Sequence, residues 1–516
     1  MACAGQFEQW VECWPLDSEC EQWLVEHELE YRLRIFLKIF EIQRYISLCK
    51  NRATGKQVRG AYPQNTIEAT PPSWETRSLT GRAHGAVGHD AERVEKPETL
   101  VSRNEDSQLK RYCKNIQLDK DWIMACMLEC FSDKWKRRDV AGFLAGYQTG
   151  QPLSVRAVSR LIQENRSNVD PLLERAAEDL AREIKERDVH FPEIHYSMRY
   201  DGNSGKLREI GVESIKQQIY NYVAVNALKE LFERKIGKYQ CASVPGRGQV
   251  YGKNAIERWI RKNPDKTRAG AKADVRHCYP SINTRKLMRF LRKQVKNDDL
   301  LYLVETLIAS YKQGLSIGSY LSQWLCNYYL SFAYHYAQQK LFKVQKRRGQ
   351  EKRTRLFYKI IFYMDDILIL GSRKVDVKKA MLMLIRFFRE ELGLEIKPNW
   401  KLFQVDYIGK DGKHRGDCID MMGYKIYRDH TEVRRSIFLR ARRAYMRLRK
   451  QVQRRMEIAL DLAYRCISYY GWFKNSDSNH FKKKYGIEQL MKYAKRRVSI
   501  ESKIHNRTAG GQLAAA

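Results

Sequence analysis

Two adjacent acidic residues interrupt a strongly apolar segment, and they are the most chemically informative feature of the sequence. Asp365 and Asp366 lie within residues 360–370, whose other members favour β-strands. Burying two like charges side by side is costly unless cations or hydrogen bonds compensate. A strand–turn–strand hairpin with both carboxylates at its tip avoids this cost, because the tip can face a bound divalent metal. An ordinary exposed turn is the alternative interpretation of the pair alone.

A third carboxylate strengthens the metal interpretation. Asp274 lies in a short apolar strand about ninety residues upstream of Asp365. Two Mg²⁺ ions about 3.5–4 Å apart need shared carboxylate oxygens from separate elements, together with substrate phosphates. The three acids form such a set, in which one ion activates a 3′-hydroxyl and the other holds a triphosphate and its leaving pyrophosphate. Mn²⁺ is expected to substitute for Mg²⁺.

These acids belong to a series of motifs that resembles the reverse transcriptases. Residues 363–366 read Tyr-Met-Asp-Asp, similar to the YxDD motif of that family, and the remaining motifs follow the family's order. Those are the Asp274 motif with Tyr279 five residues on, the glycine motif at 314–323, and the segments 392–397 and 422–426. The resemblance covers roughly residues 190–490. It implies an α+β protein with a right-hand polymerase fold, a helical N-terminal extension and RNA-directed DNA polymerase activity.

The resemblance also implies roles around the metal ions and the incoming dNTP. Asp274 and Asp365 correspond to the principal metal ligands, and Asp366 and Val275 complete the metal set. Lys397 corresponds to a proton donor near the triphosphate, with a solvated surface lysine as the alternative. Tyr279 corresponds to the ribose gate, whose ring excludes a 2′-hydroxyl, and a core aromatic is its alternative. The remaining dNTP-binding candidates are Lys206, Arg208, Ile317, Gly318 and Gln323.

A second set of residues corresponds to the primer and template contacts. In the central part of the chain they are Arg247, Tyr363, Met364, Gly423 and Tyr424. Residues 431–460 add ten Lys and Arg side chains interleaved with apolar residues, a pattern that predicts helices with one packing face and one cationic face. We expect this face to hold the phosphates of an RNA–DNA duplex independently of sequence. Its named candidates are Arg442, Arg443, Arg447 and Arg449.

The glycine motif indicates a subgroup of the family. Many relatives carry Gln where this chain has Ile317, and the I-G-x-x-x-S-Q pattern ending at Gln323 resembles bacterial enzymes of diversity-generating retroelements and of antiviral defence. The long N-terminal extension favours the defence-associated group, with cDNA synthesis in defence or in a retroelement as the role. Mutagenic retrohoming is the alternative. Two further functions stay open as alternatives. One is an RNA-templated RNA polymerase, which Tyr279 argues against, and the other is a non-catalytic RNA-binding maturation factor.

Composition limits the partners and the location. The chain has 516 residues and a net charge of +35, which indicates a polyanionic partner such as RNA rather than a membrane. A structured non-coding RNA or a small accessory protein would be a further partner. The twelve cysteines form no zinc-site pattern, and with the lack of a secretory signal or membrane-length apolar run they predict a cytoplasmic protein.

Changes in composition and periodicity divide the chain into seven segments. The third is expected to include a helix capped by Asp170 ahead of Pro171. The segments are a helical stretch at 1–50, a flexible linker at 51–111, a helical extension at 112–192, fingers at 193–272, a palm at 273–430, a basic helical thumb at 431–496 and a tail at 497–516.

Overall fold

The computed structural model describes residues 112–149, 153–201, 206–347 and 350–511. The chain separates into a unit of residues 1–110 and a unit of residues 111–516, and the described residues all belong to the second. The predicted helical stretch at 1–50 and linker at 51–111 therefore lie outside the described residues. No helix within the described ranges is both long and apolar enough to cross a membrane.

Helices and strands are numbered here in chain order over those ranges. The helices are α1 Lys120–Phe131, α2 Arg138–Ala145, α3 Val155–Glu164, α4 Asp170–Glu186, α5 Ile215–Ala227, α6 Lys229–Lys235, α7 Gln249–Lys262, α8 Cys278–Ser281, α9 Thr284–Gln294, α10 Asp298–Ala309, α11 Tyr320–Lys340, α12 Lys374–Phe387, α13 Arg435–Gln453, α14 Leu460–Lys474, α15 Asn479–Tyr485 and α16 Ile487–Gly511. The strands are β1 His195–Asp201, β2 Lys206–Val212, β3 Gln240–Cys241, β4 Ala269–Asp274, β5 Phe342–Arg347, β6 Gln350–Arg355, β7 Lys359–Tyr363, β8 Asp366–Gly371, β9 Lys401–Gln404, β10 Tyr407–Ile408, β11 His414–Arg415, β12 Ile419–Met421, β13 Tyr424–Ile426 and β14 Thr431–Val433.

Helices α1–α4 precede the first strand, and their cysteines are core residues. Cys126 and Cys130 are buried on α1, which packs against α4 and α5. The Asp119 side chain caps α1 by accepting a hydrogen bond from the Trp122 backbone N–H. The predicted cap at Asp170 is wrong by one residue, because a 3₁₀ turn runs directly into α4 and leaves Val169 at the cap position.

A five-stranded sheet in the order β3-β7-β8-β4-β9 forms the centre of the fold. Strands β7, β8, β4 and β9 are antiparallel, and β3 runs parallel to β7. Alternate side chains of the β7–β8 hairpin enter two different cores. The first core, which includes α11 and α12, takes Ile360, Phe362, Ile367 and Ile369, and the second, which includes α7 and the C-terminal helices, takes Ile361, Leu368 and Leu370. The sheet is therefore covered on both faces, and its strands are correspondingly apolar.

The C-terminal part packs on the second core. The small sheet β12-β13-β14 leads into α13, and α13, α14 and α16 contact one another around an aromatic cluster. That cluster consists of Phe438, Tyr445, Phe473 and Phe481. Helix α16 continues past the predicted segment boundary at 496 and ends at Gly511. Mixed helices and sheets confirm the α+β class expected from the sequence.

Candidate active site

The register of the central sheet brings the predicted carboxylates together. Asp274, the last residue of β4, lies opposite Asp366, the first residue of β8. Asp365 occupies the turn between β7 and β8, which closes with Met364 in the left-handed region at φ 52°. The Val275 backbone N–H donates to the Asp365 carbonyl oxygen at 3.0 Å. Residues that are far apart in sequence thus share one end of one sheet.

Burial and the neighbouring carboxylates raise the pKa of Asp365. Burial, followed by repulsion from Asp274 and Asp366, raises the pKa of Asp365 from 3.8 to about 6. Burial also raises the pKa of Asp366, and the nearby Lys272 ammonium partly offsets that rise. Oxygen donors that repel one another in a half-buried site are the ligands that hard divalent cations prefer. The residues present therefore fit a divalent metal.

Two lysines neutralise part of this negative charge. Lys397 forms an ion pair with Asp274, and its backbone N–H donates to the Asp274 carbonyl oxygen at 2.9 Å. The Lys397 side chain is 35% exposed, so it lies in the site rather than on a solvated surface. Lys272 Nζ lies 3.4 Å from Asp366 Oδ1 and donates to the Asp420 carbonyl oxygen at 2.8 Å. Sequence reasoning missed Lys272, although its position two residues before Asp274 places both on one face of β4.

Tyr279 connects the carboxylates with the glycine motif. Its hydroxyl donates to Met364 Sδ at 4.0 Å, and its carbonyl oxygen accepts a hydrogen bond from the Leu315 backbone N–H at 2.9 Å. Gly314 has φ 55°, and a Cβ there would collide with the Pro280 backbone, so only glycine fits this approach. Burial raises the pKa of Tyr279, which keeps the phenol neutral. The ring is half-buried beside the turn between β7 and β8 rather than fully enclosed in the core.

The glycine motif also contacts the predicted fingers. The Ile317 carbonyl oxygen accepts a hydrogen bond from the Gly211 backbone N–H of β2 at 3.1 Å. Gly318 has φ 111°, and a Cβ there would lie 3.0 Å from the Gly211 carbonyl oxygen. Arg208, an exposed residue, belongs to the same strand. Ile317 and Gln323 are half-buried, Gly318 is exposed, and the Lys206 side chain and the turn at 202–205 lie outside the described residues.

The predicted primer hairpin carries an aromatic side chain that lies in the core. Tyr424 is 1% exposed, and its ring lies 5.2 Å from the Trp472 ring. The Tyr424 side chain is therefore part of the second core, so the predicted support of a primer end by this hairpin would come from its backbone. Gly423 has φ 81°, and a Cβ there would collide with Trp472. The hairpin backbone is fixed by a hydrogen bond from Gln249 Nε2 to the Met422 carbonyl oxygen at 2.8 Å.

Other template candidates are only partly available to nucleic acid. Met364 is buried at the turn, whereas Tyr363 is half-buried. The Arg247 guanidinium donates to the Gly237 carbonyl oxygen at 3.0 Å, so part of its function is to hold its own loop. Its half-exposed side chain and the adjacent exposed Gly248 leave the loop surface accessible.

Helix α13 separates apolar and basic side chains as its sequence indicates. Its inward residues include Ile437, Ala441, Tyr445 and Leu448, which are buried in the second core. Its outward residues include Arg442, Arg443, Arg447 and Arg449, all of them exposed. The Arg442 Nε donates to the Tyr485 hydroxyl at 3.2 Å, so one guanidinium of this face is oriented by α15.

Comparison with known proteins identifies the class of this domain. Residues 199–426 match the family model described as reverse transcriptase (RNA-dependent DNA polymerase). Residues 199–426 therefore form a reverse transcriptase domain with a polymerase fold, and this domain indicates RNA-directed DNA polymerase activity. Families of this kind use divalent metal ions, which agrees with the carboxylate site.

Solved structures with detectable similarity include two of apo telomerase from Candida tropicalis. One, truncated from its C-terminal domain, is 12% identical with a TM-score of 0.28, and the match covers 55% of this chain and 70% of that one. The other is 11% identical with a TM-score of 0.30, and the match covers 60% of this chain and 66% of that one. No curated protein sequence matches the chain.

Proposed function

We propose that Asp274, Asp365 and Asp366 hold two Mg²⁺ ions and that this site extends a DNA primer along an RNA template. The convergence of the three carboxylates at the end of β4 and the β7–β8 turn is the observation that carries the proposal. The mutual repulsion that raises the pKa of Asp365 is relieved when cations bind. Bound ions supply nucleophile activation and charge neutralisation at the phosphates. Val275 supports the set through its backbone contact with Asp365.

The lysines of the free site have a second role in this proposal. Lys397 pairs with Asp274, and it would release that carboxylate to a bound metal ion. Its ammonium then lies close enough to the site to donate a proton to the leaving pyrophosphate. Lys272 stays against Asp366 and the Asp420 carbonyl oxygen and orients the carboxylate. Mn²⁺, which also accepts oxygen ligands, would substitute for Mg²⁺.

Selection of the substrate is assigned to Tyr279 and the fingers. The half-buried Tyr279 ring lies between the catalytic turn and the glycine motif, where a 2′-hydroxyl would meet it. Arg208 of β2, together with Lys206, is assigned to the triphosphate because guanidinium and ammonium groups bind phosphate oxygens. Ile317, Gly318 and Gln323 would line the base side of the same pocket.

The duplex is assigned to the thumb and the loops around the site. The exposed arginines of α13 would hold its phosphates, and the backbones of Gly423 and Met364 would lie beneath the primer end. Arg247 and Tyr363 would contact the template strand. Backbone and phosphate contacts of this kind read no sequence.

Single carboxamide substitutions test the metal assignment. Asp365→Asn and Asp366→Asn should each abolish dNTP incorporation on an RNA template with a DNA primer, because metal coordination is lost while the duplex-binding surface stays intact. Asp133→Asn, at an exposed position of the N-terminal helical part, is the matched control and should retain activity. Template binding is measured in parallel. Incorporation close to that of the control in both variants would show that these acids are not the metal site.

We also propose that the enzyme makes cDNA for a bacterial defence system or retroelement, in the cytoplasm. The I-G-x-x-x-S-Q pattern at Ile317–Gln323 supports a bacterial subgroup, and the scattered cysteines suit a reducing compartment. A structured non-coding RNA or a small accessory protein would then be its partner. Sequencing the nucleic acid that copurifies with the protein tests this role. A high error rate in the cDNA would indicate mutagenic retrohoming, whereas bound RNA without any cDNA would indicate a maturation factor.

A further inference from the structure

A cluster of metal-ligating side chains lies away from the catalytic carboxylates. His414 comes from β11, and Asp429 and His430 come from the turn between β13 and β14. One ligand atom from each lies within 4.8 Å of the others. The two segments are about fifteen residues apart and belong to different small sheets. Folding therefore brings together two imidazoles and a carboxylate that the catalytic mechanism does not use.

A buried carboxylate orients His414. Asp406 is 1% exposed, and its Oδ1 lies 2.8 Å from His414 Nδ1. Its other oxygen accepts the Arg428 backbone N–H at 2.9 Å, so both oxygens of Asp406 are occupied. A carboxylate accepts hydrogen bonds, so Nδ1 carries the proton, and in the neutral ring Nε2 is the atom left to bind a metal. Carboxylate–histidine pairs of this type commonly orient metal ligands in proteins.

The remaining two ligands face the same point. His414 Nε2 lies 3.4 Å from Asp429 Oδ2, and His430 Nδ1 lies 2.7 Å from Asp429 Oδ1. The Tyr427 ring stacks on the His430 ring at a centroid distance of 4.4 Å and an angle of 8°, which limits rotation of that imidazole. Donor atoms around tetrahedral zinc lie about 3.4 Å apart, given bonds of about 2.1 Å. Small rotations of the exposed Asp429 side chain would bring the donor atoms of His414, Asp429 and His430 to about this spacing.

We propose that His414, Asp429 and His430 form a zinc site that Asp406 positions. Two imidazoles and one carboxylate suit Zn²⁺ better than Mg²⁺, because nitrogen donors favour borderline-soft ions and Mg²⁺ prefers oxygen. A water molecule would complete a tetrahedral set. We assign the site a structural role, because it uses none of the three carboxylates proposed for catalysis and it joins segments of two different small sheets.

Zinc at this position would fasten the β10–β11 hairpin to the turn after β13. That turn is already anchored on its other side, because the Arg428 guanidinium donates to the Ile260 carbonyl oxygen at 2.5 Å and to the Thr267 carbonyl oxygen at 3.1 Å. The exposed hairpin would therefore become part of one connected region that extends to the end of α7. This inference does not depend on the proposed catalytic roles.

Zinc binding by the full chain tests the site directly. The protein is stripped with a chelator and titrated with Zn²⁺ against a chromophoric competitor, with saturating Mg²⁺ present to occupy the catalytic carboxylates. One tight equivalent is expected for the wild type and for His480→Gln, a control at an exposed histidine of α15. His414→Gln/His430→Gln should lose that equivalent. In the wild type, Co²⁺ should give the visible absorption of a tetrahedral ion with nitrogen and oxygen ligands. The His414→Gln/His430→Gln variant should not show this absorption.

A conservative change in the orienting carboxylate provides the second measurement. Asp406→Asn should weaken zinc binding by about 10- to 100-fold while leaving the stoichiometry at one. Zinc should raise the melting temperature of the wild type and of His480→Gln, and it should leave the double variant unchanged. Circular dichroism checks that each variant is folded. If the double variant does not fold, the single variant His414→Gln is used in its place. The proposal would be overturned if the wild type and the folded histidine variant bound zinc with equal affinity, or if the wild type bound no tight equivalent. His414, Asp429 and His430 would then form only an ion-pair network.

Discussion

Replacing Asp365 with Asn should stabilise the free protein while it abolishes polymerisation. The wild-type carboxylate ionises with difficulty, because burial and two neighbouring acids raise its pKa from 3.8 to about 6. A rise of this size corresponds to a cost of about 3 kcal/mol for holding the ionised form in the folded state. Asparagine has nearly the same shape without the charge, so it removes that cost. Strain stored at a functional site is commonly relieved in this way at the expense of activity.

The sign of the pH dependence follows from the direction of the pKa shift. Between pH 3.8 and about 6 the folded protein holds a proton at Asp365 that the unfolded chain has released, so the wild type loses stability as pH rises through this window. Below the window the carboxyl is protonated in both states, and wild type and variant should differ little. Above this window the melting temperature of Asp365→Asn should exceed that of the wild type by its full value. That value is about 3–4 °C for a unit of the size of residues 111–516.

Thermal melts of wild type, Asp365→Asn and the control Asp133→Asn check this prediction. They are run with a chelator from pH 4 to pH 8 and repeated with Mg²⁺ at pH 8. Mg²⁺ should raise the wild-type melting temperature more than that of Asp365→Asn, because bound cations relieve the repulsion only where the carboxylate is present. A melting temperature of Asp365→Asn at or below the wild type at pH 8 in chelator would refute the reasoning that the three acids repel one another.

Three further predictions concern the substrate and the duplex. Tyr279→Ala should raise the ratio of rNTP to dNTP incorporation by about tenfold, or ~1.4 kcal/mol, and an unchanged ratio would make Tyr279 a core residue. Ile317→Gln should lower the error rate by roughly threefold to thirtyfold through one added hydrogen bond, and cDNA sequencing that finds equal error rates at equal activity would contradict this. Replacing the four exposed arginines of α13 with Gln should make the slope of log K against log salt shallower by about 0.9 per lost phosphate contact, and an unchanged slope would mean a merely solvated face. Those four are Arg442, Arg443, Arg447 and Arg449.

The sequence alone was sufficient to predict the kind of elements that carry the candidate site residues. Acids inside the apolar run at 360–370 predict a hairpin, because two carboxylates there need a turn and a cation, and the structure has that hairpin as β7 and β8. The period of the apolar residues in α13 likewise predicts its buried and basic faces. These features are local, since they depend on neighbours along one strand or one helix.

Only the tertiary structure decided which distant residues meet and what each one contacts. Lys272 and Lys397 pair with Asp366 and Asp274 because β4 lies beside β8 and because the segment after the π-helix Phe388–Leu392 returns to the same end of the sheet. The Tyr424 ring is buried because Trp472 of α14 packs against it, which no pattern near residue 424 indicates. The convergence of His414 with His430 depends on two small sheets meeting. Side-chain spacing encodes faces of single elements, whereas contacts between elements arise from the packing of the whole chain.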